Sequence, residues 1–291
     1  MVESGDISFL DAYVLWRDPL LAAVVAAGLC GYLGVFVVLR RVAFVSAALS
    51  QISGLGVALA FYVGSYFGVD PHAEDTPLTF SPVLYALVLS CTGSVLLGLP
   101  GRAKRITSEA IVALAYLAAS ASVVLILSSP RIVQEAHEVG DLLFGNAVAI
   151  RREHLIALLV TAAAVAVVHA IFFKDFLFVS FDGETARSAG YPVVMLDVLL
   201  YASIGTAVAV ATRAIGTLPV FAFLVLPAGA ALLLSERTPV IVVLAITISV
   251  LCAVAGYYLS FVHGLPTGPT MAALCAASWL PGVRFLLKRR G

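Results

Sequence analysis

Residues 173–192 read FKDFLFVSFDGETARSAGYP and place a short charged segment inside an otherwise very apolar chain. Asp182 is suited to begin a helix, because its carboxylate accepts hydrogen bonds from free backbone N–H groups, and Glu184 adds negative charge to the first turn. Gly190 suits the left-handed residue after a helix, and Pro192 blocks continuation. The pattern predicts a helix of about two turns, too short to be stable alone in water. Flanking spans or a partner protein must therefore hold it.

Composition identifies the class of protein. Hydrophobic residues make up 62% of the 291 residues and charged residues only 12%, and the mean hydropathy is +1.07. A soluble domain of this size needs more polar cover, so the sequence predicts an all-α polytopic membrane protein surrounded by lipid. The 17 basic and 17 acidic residues cancel, which gives no indication of a nucleic-acid partner.

Nine stretches approach the length of about 20 apolar residues that a helix needs to cross a bilayer. They are 19–39, 44–67, 82–99, 109–128, 154–173, 193–212, 216–234, 239–260 and 268–286. Pro269 and Pro281 bracket the last one, so we expect a single domain over 1–291 with eight or nine spans. Pro219 and Pro227 predict either a kink or a break in the seventh span.

Lys and Arg predict the orientation, because basic loops stay in the cytoplasm. Twelve basic residues fall on one side of the predicted bundle, namely Arg40, Arg41, Arg102, Lys104, Arg105, Lys174, Arg187, Arg237, Arg284, Lys288, Arg289 and Arg290. Five fall on the other side, namely Arg17, Arg131, Arg151, Arg152 and Arg213. This bias predicts that residues 174–192 and the C-terminus are cytoplasmic. The N-terminus is then outside, and its acidic start argues against a cleaved signal peptide.

The outer loops gather acidic residues and histidines. They are Asp70, His72, Glu74 and Asp75 in one loop, and Glu135, His137, Glu138 and Asp141 in the other. Carboxylates and imidazoles are metal ligands. We therefore expect these loops to attract cations on the outer face.

The second span carries a polar stripe. Ser46, Ser50 and Ser53 recur at helical spacing and share one face, and Gln51 lies about 100° around the helix from Ser50. Such side chains either bond to neighbouring helices within a bundle or line a transport pathway. Both interpretations stay open at the level of sequence.

Cysteines and histidines give no sign of a catalytic or metal centre within the spans. Four cysteines sit singly in apolar stretches and are predicted to be small buried residues, neither ligands nor disulfides. They are Cys30, Cys91, Cys252 and Cys275. His169, in an apolar span, is predicted to be a core histidine with a satisfied ring.

The chain has no site for ATP of the P-loop type, which requires Gly-Lys before Ser or Thr. Its three lysines, Lys104, Lys174 and Lys288, follow Ala, Phe and Leu. Any ATP hydrolysis must then belong to another polypeptide. We expect no cofactor in this chain and no enzymatic activity of its own.

Several motifs together resemble the zinc/manganese/iron ABC permease family. In chain order they are RR-x-AF at 40–44, ALS at 48–50, GLGVALAF at 54–61, LFG at 143–145, the segment from Ser180 to Gly190, and FAFLVLPAGAALLL at 221–234. The resemblance implies a type II ABC importer-like bundle in the inner (plasma) membrane, importing zinc, manganese or iron. It implies a homodimer with two ATPase subunits and an extracytoplasmic solute-binding protein.

The same resemblance assigns a role to the charged segment. It implies that the short helix docks into a groove on the ATPase subunit. The residues that carry this match are Asp182, Glu184, Ala186, Arg187, Ala189 and Gly190.

One departure from the family concerns the metal. The family typically has Asp and His in a G-D-A-L-S-H run on the second span, and aligning Ala48-Leu49-Ser50 puts Ala47 and Gln51 at those positions. A carboxylate and an imidazole suit Zn²⁺ or Mn²⁺, whereas an amide oxygen is a weak substitute. Either other residues supply ligands, or the ion passes largely hydrated.

Three alternative functions are open at the level of sequence: ion-coupled secondary transport, ABC transport of a non-metal substrate, and a non-transporting scaffold. An ion-coupled secondary transporter needs ionisable residues within its spans, and Asp197, near a span end, is the main one here. An ABC permease for a non-metal substrate and a non-transporting scaffold both accommodate the altered metal positions.

Overall fold

The computed structural model describes residues 13–69, 77–98, 107–130, 150 and 152–280. This part of the chain consists of helices and short connections, which confirms the all-α prediction. Its α-helices are α1 Tyr13–Leu39, α2 Ala43–Phe67, α3 Pro82–Gly98, α4 Ser108–Leu127, α5 Arg152–Phe181, α6 Gly183–Ser188, α7 Val193–Ile215, α8 Thr217–Leu234, α9 Thr238–His263 and α10 Thr267–Ala277. A 3₁₀ turn at Leu78–Phe80 precedes α3.

Seven of the described helices are long and apolar enough to cross a membrane, namely α1, α2, α4, α5, α7, α8 and α9. The protein is therefore a multi-pass membrane protein. The predicted count of eight or nine spans is too high by this measure. α3 has 17 residues and α10 has 11, and a turn at Ser278 follows α10, with the Ser278 hydroxyl donating to the Cys275 carbonyl at 2.6 Å.

α1 lies at the centre of the bundle and packs against α5, α7, α8 and α9. α2 packs mainly on α3 and α4, and α3 in turn packs on α7. Gly34 sets the closest approach, because a Cβ atom there would lie 2.0 Å from the Leu224 carbonyl oxygen of α8. Small residues let helices approach in lipid, where no hydrophobic force drives them together.

α5 extends further than predicted. The predicted end at residue 173 falls at a kink, where Phe172 has non-helical angles (φ −104°, ψ 15°), and helical structure continues beyond it to Phe181. Phe176 and Val179 are buried, and this packing at helical spacing outweighs the charges of Lys174 and Asp175. The connection that carries α6 is therefore limited to residues 182–192.

α8 runs without a break from Thr217 to Leu234, so the predicted alternative of a broken helix is wrong. Pro219 lies in the first turn, where no helical partner is needed for a backbone N–H. Pro227 lies inside the helix and is buried. One turn of α8 is tied to the C-terminal part of the described chain, because Trp279 Nε1 donates to the Leu226 carbonyl at 2.8 Å.

Candidate functional site

The first part of the candidate site is α6, and its N-terminus is capped as predicted. Asp182 Oδ1 accepts a hydrogen bond from the Thr185 backbone N–H at 2.9 Å. The Thr185 hydroxyl also donates to Asp182 Oδ2 at 2.5 Å. These bonds hold the pKa of the Asp182 carboxyl below its usual value, because they stabilise its charged form. Glu184 lies in the first turn and Arg187 in the last, so both charges complement the helix dipole.

The C-terminus of α6 also ends as predicted. Gly190 has φ +86°, in the left-handed region that glycine adopts without a steric penalty. Its N–H bonds to the Arg187 carbonyl at 3.1 Å, and the Tyr191 N–H bonds to the Ala186 carbonyl at 3.0 Å. This pair of bonds is a Schellman motif, and it gives six helical residues two well-defined ends.

α6 presents nearly all of its side chains to the outside. Among residues 182–192, Ala186 is the one that is fully buried, at 0% exposure. Glu184, Arg187, Ser188 and Ala189 are exposed. Ala186 anchors the helix to the bundle, and the charged side chains are left for another molecule or solvent.

An apolar groove of about 730 Å³ lies beside α6, along the outer face of α7. Arg187 and Tyr191 form one end of it, and Met195, Val198 and Ala202 continue along α7. Charged groups and an apolar recess thus lie next to each other at this end of the bundle. That combination is typical of a protein–protein contact.

A buried ion pair lies behind α6. Arg40, the residue after α1, donates from Nη1 to Asp197 Oδ1 of α7 at 2.5 Å, and their side chains are only 10% and 9% exposed. Arg40 Nε also donates to Ser180 Oγ of α5 at 2.9 Å. Its guanidinium carbon lies 5.6 Å from the centre of the Tyr201 ring, within cation–π range. Asp197, on which a secondary-transport mechanism would rest, is therefore neutralised by a cation.

The second part of the site is the polar stripe of α2, which faces the packed interior. Ser46 Oγ donates to the Ala43 carbonyl at 2.6 Å, and Ser50 Oγ donates to the Ser46 carbonyl at 3.0 Å. Ser53 is 0% exposed, and its hydroxyl has no hydrogen-bond partner among the described residues. The bonds of Ser46 and Ser50 are those of packed serines, and the pathway-lining role of all three stays a prediction.

Gln51 lies on a different and more open face of α2. It is half-buried, and Ala47 precedes it by one turn with 8% exposure. Phe44 and Tyr62 lie on the same side with 55% and 39% exposure, since their spacing from Gln51 corresponds to about two and three turns. Of the two positions at which the resembled family carries Asp and His, Gln51 therefore lies on this open face, whereas Ala47 is buried at its edge.

Other predicted features are placed as follows. His169 is 1% exposed, with Nδ1 3.1 Å from the Tyr32 hydroxyl and its ring against Phe36 and Phe176, which confirms a core histidine. The predicted full satisfaction of the ring is wrong, because Nε2 is buried and has no hydrogen-bond partner among the described residues. All four cysteines are free thiols, and three are buried.

Among the described residues, no group of three or more His, Cys, Asp or Glu could hold a metal ion. The outer-loop acids and histidines and the LFG motif at 143–145 lie outside the described residues.

The chain matches the family model of the ABC 3 transport family over residues 12–285. The chain belongs to the ABC 3 transport family. Among its relatives is the manganese transport system membrane protein MntC of Halalkalibacterium halodurans, 25% identical over 265 residues that cover 91% of this chain and 85% of that protein. Another is the chelated iron transport system membrane protein YfeC of Yersinia pestis, 27% identical over 94% of this chain and 85% of its own.

Solved structures confirm the fold of this ABC 3 family chain. A chain of PsaBC from Streptococcus pneumoniae, solved in complex with Fab, has a TM-score of 0.78 at 22% identity and covers 94% of each chain. A protein described as a metal-chelate type ABC transporter in an inward-facing conformation has a TM-score of 0.69 at 18% identity, over 94% of this chain and 87% of that one. The predicted importer-like helical bundle is thereby confirmed.

The sequence predicted Arg40 only as one of the cytoplasmic positive charges, and its bonds to Ser180 and Asp197 were not predicted. One signal was available, because an acidic residue such as Asp197 inside an apolar span requires a buried cation. Thr185 was missed as well, although Thr at the third position after Asp182 is placed to bond back to the cap. No signal in the sequence singles out Ser180 or Tyr201.

Proposed function

We propose that this ABC 3 family chain is the membrane-spanning subunit of an importer for a divalent metal ion, driven by a separate ATPase subunit. The observation that carries the proposal is α6. It is capped at both ends, anchored by Ala186 alone, and otherwise exposed. A six-residue helix with free charges beside an apolar groove offers a soluble partner both electrostatic and apolar contacts.

The proposed assembly contains two copies of this chain, two ATPase subunits and an extracytoplasmic solute-binding protein. Residues 182–192 would dock on the ATPase, through Glu184 and Arg187 at the surface. Closure of the ATPase pair on ATP would move this segment and switch the bundle between outward and inward openings. Such a cycle needs no ATP site in the chain itself.

The substrate proposal depends on the relatives and on α2. The names of the relatives refer to manganese and chelated iron. Gln51 offers a neutral amide oxygen, and Ala47 offers no ligand. Oxygen donors suit Mn²⁺, whereas Zn²⁺ gains more from imidazole and thiolate. We therefore propose manganese ahead of zinc, carried through a weak site between two copies of the open α2 face.

Reconstitution tests the function. The chain is purified with its ATPase subunit, placed in liposomes, and assayed for uptake of radioactive manganese with and without ATP. We expect uptake that requires ATP and that excess unlabelled manganese inhibits more strongly than zinc. A catalytically dead ATPase subunit is the matched control. Uptake driven by a proton or sodium gradient without ATP would instead establish secondary transport.

A further inference from the structure

Arg40, in its buried ion pair with Asp197, links the two helix ends that flank α6. Ser180 and Asp197 stand on either side of the coupling segment, which we define as residues 182–192, and Arg40 donates a hydrogen bond to each of them. We infer that Arg40 is a positioning residue that transmits movement of the coupling segment to α2. This inference rests on the function proposed above.

Arg40 fixes both ends of the coupling segment to one point. The planar guanidinium presents its N–H groups in a fixed fork, so the Nε bond to Ser180 and the Nη1 bond to Asp197 set the spacing between the end of α5 and the start of α7. Ser180 is held in turn, because its hydroxyl donates to the Phe176 carbonyl at 2.5 Å. The chain joins α6 directly to these two helix ends, and Ala186 is the one side chain of α6 that is buried. A push on α6 is therefore passed to the end of α5 and the start of α7.

Arg40 also begins the turn into α2. The Arg41 N–H bonds to the Val38 carbonyl and the Val42 N–H bonds to the Val37 carbonyl, each at 3.0 Å. Arg41 occupies the left-handed region with φ +58°, which completes a Schellman motif at the end of α1. α2 begins at Ala43. Only two residues, Arg41 and Val42, thus separate Arg40 from the helix that carries Ala47 and Gln51.

Stability alone is a weak reason for this arrangement. A buried ion pair is often no more stabilising than two apolar side chains of similar volume, because both charges lose their water. Arg40 Nη2 is also buried and has no hydrogen-bond partner among the described residues. Helix α2 packs mainly on α3 and α4, contacts α7 directly and touches α1 little. The turn after Arg40 is therefore the covalent route from the ion pair to α2, beside the packing of α7 on α2.

The main test uses the assembled complex in liposomes and measures ATP hydrolysis and manganese uptake together. Arg40→Met combined with Asp197→Leu removes the link without leaving an unpaired buried charge. We expect hydrolysis within about twofold of wild type and uptake per ATP lowered at least about tenfold, the range of a coupling free energy between sites. Arg152→Met, which removes an exposed arginine at the opposite end of α5, is the matched control and should couple normally.

Two further variants separate positioning from folding. Ser180→Ala removes the acceptor of the Arg40 Nε bond together with the hydroxyl's own bond to the Phe176 carbonyl. It buries no new charge, so it should assemble fully and lower uptake per ATP by about threefold to fivefold. Arg40→Lys keeps the positive charge but loses the planar guanidinium that bonds to both partners. Its uptake per ATP should lie between that of wild type and that of the double variant. Normal uptake per ATP in Ser180→Ala and in a folded double variant would overturn the inference. If the wild-type complex itself shows no ATP-dependent uptake, the proposed function is wrong and the inference falls with it.

Discussion

α6 and α2 are two polar regions of the described part of this chain, and they use polar side chains in opposite ways. In α6, Glu184 and Arg187 point away from the bundle, and hydrogen bonds from Thr185 hold the cap at Asp182. In α2, Ser46 and Ser50 are buried and bond to carbonyls of their own helix. The charged side chains of α6 are exposed to a partner or solvent, whereas two of the three serine hydroxyls of α2 are already hydrogen-bonded within the helix.

This difference shows why polarity within a span is a poor guide to function. A hydroxyl in an apolar environment must be satisfied, and the carbonyl one turn back on the same helix is always within reach of a serine. The bonds of Ser46 and Ser50 are therefore explained by packing alone, and Gln51, on the half-buried side of α2, is the comparison that separates packing from a pathway.

Reversing the charges of α6 should have the largest effect. Glu184→Arg with Arg187→Glu changes only exposed side chains, so the fold should persist while docking to the ATPase is lost. We expect uptake to fall by about 30-fold or more, the cost of losing about 2 kcal/mol at an interface hot spot. Copurification of the ATPase measures the loss of docking, and metal uptake in liposomes measures the loss of transport.

The control for that pair lies at the opposite end of α5. Arg152→Glu with Glu153→Arg makes the same exchange at exposed positions and should leave docking unchanged. Equal losses in both pairs would show that α6 has no special role. Ala186 is unsuitable for such a test, because it is buried and a carboxylate there would disturb packing rather than docking.

Restoring ligands on the open face of α2 should have the next largest effect. Ala47→Asp with Gln51→His places a carboxylate and an imidazole one turn apart. Manganese or zinc affinity should rise by at least about tenfold, because direct ligands contribute more than outer-shell residues, whose loss costs about 10–100-fold. Isothermal titration of the purified chain measures it beside wild type. Tight stoichiometric binding by wild type that survives Gln51→Ala would place the site elsewhere.

A smaller effect is expected at the cap of α6. Thr185→Val removes the hydroxyl that bonds to Asp182, so the pKa of that carboxyl should rise toward its usual value. Because the folded pKa is lowered, the cap contributes above the usual Asp pKa and is lost as pH falls through the lowered value. Carboxyl ¹³C NMR of labelled Asp follows the titration in both proteins. An unchanged pKa in Thr185→Val would show that the hydroxyl bond does not hold the charge.

The smallest effect is expected on the serine stripe. Ser50→Ala removes a hydroxyl that bonds only to its own helix, so the stability of the chain should change by less than about 1 kcal/mol. Uptake should stay close to that of wild type. Gln51→Ala, one residue away, is the comparison and should alter metal selectivity. A large loss of uptake in Ser50→Ala alone would return the serines to the pathway.

Local features of the sequence predicted the helices well, because they depend on neighbouring residues. The predicted start of α7 at residue 193 and end of α8 at residue 234 match the structure. The cap at Asp182 and the left-handed Gly190 are also as predicted. The predicted end of α5 at residue 173 falls at the kink at Phe172. The helical continuation to Phe181 was missed, because the burial of Phe176 depends on helices far away in the chain.

What the sequence by itself determined is the membrane class, some of the helix boundaries and the capped α6, since hydropathy and capping act over a few residues. What only the tertiary structure decided is which polar groups meet. Arg40 lies 140 residues from Ser180 and 157 residues from Asp197 along the chain, and no periodicity connects them. The packing of α1 between α5 and α7 brings the three together, because a charge inside the bundle must find its partner in space rather than in sequence.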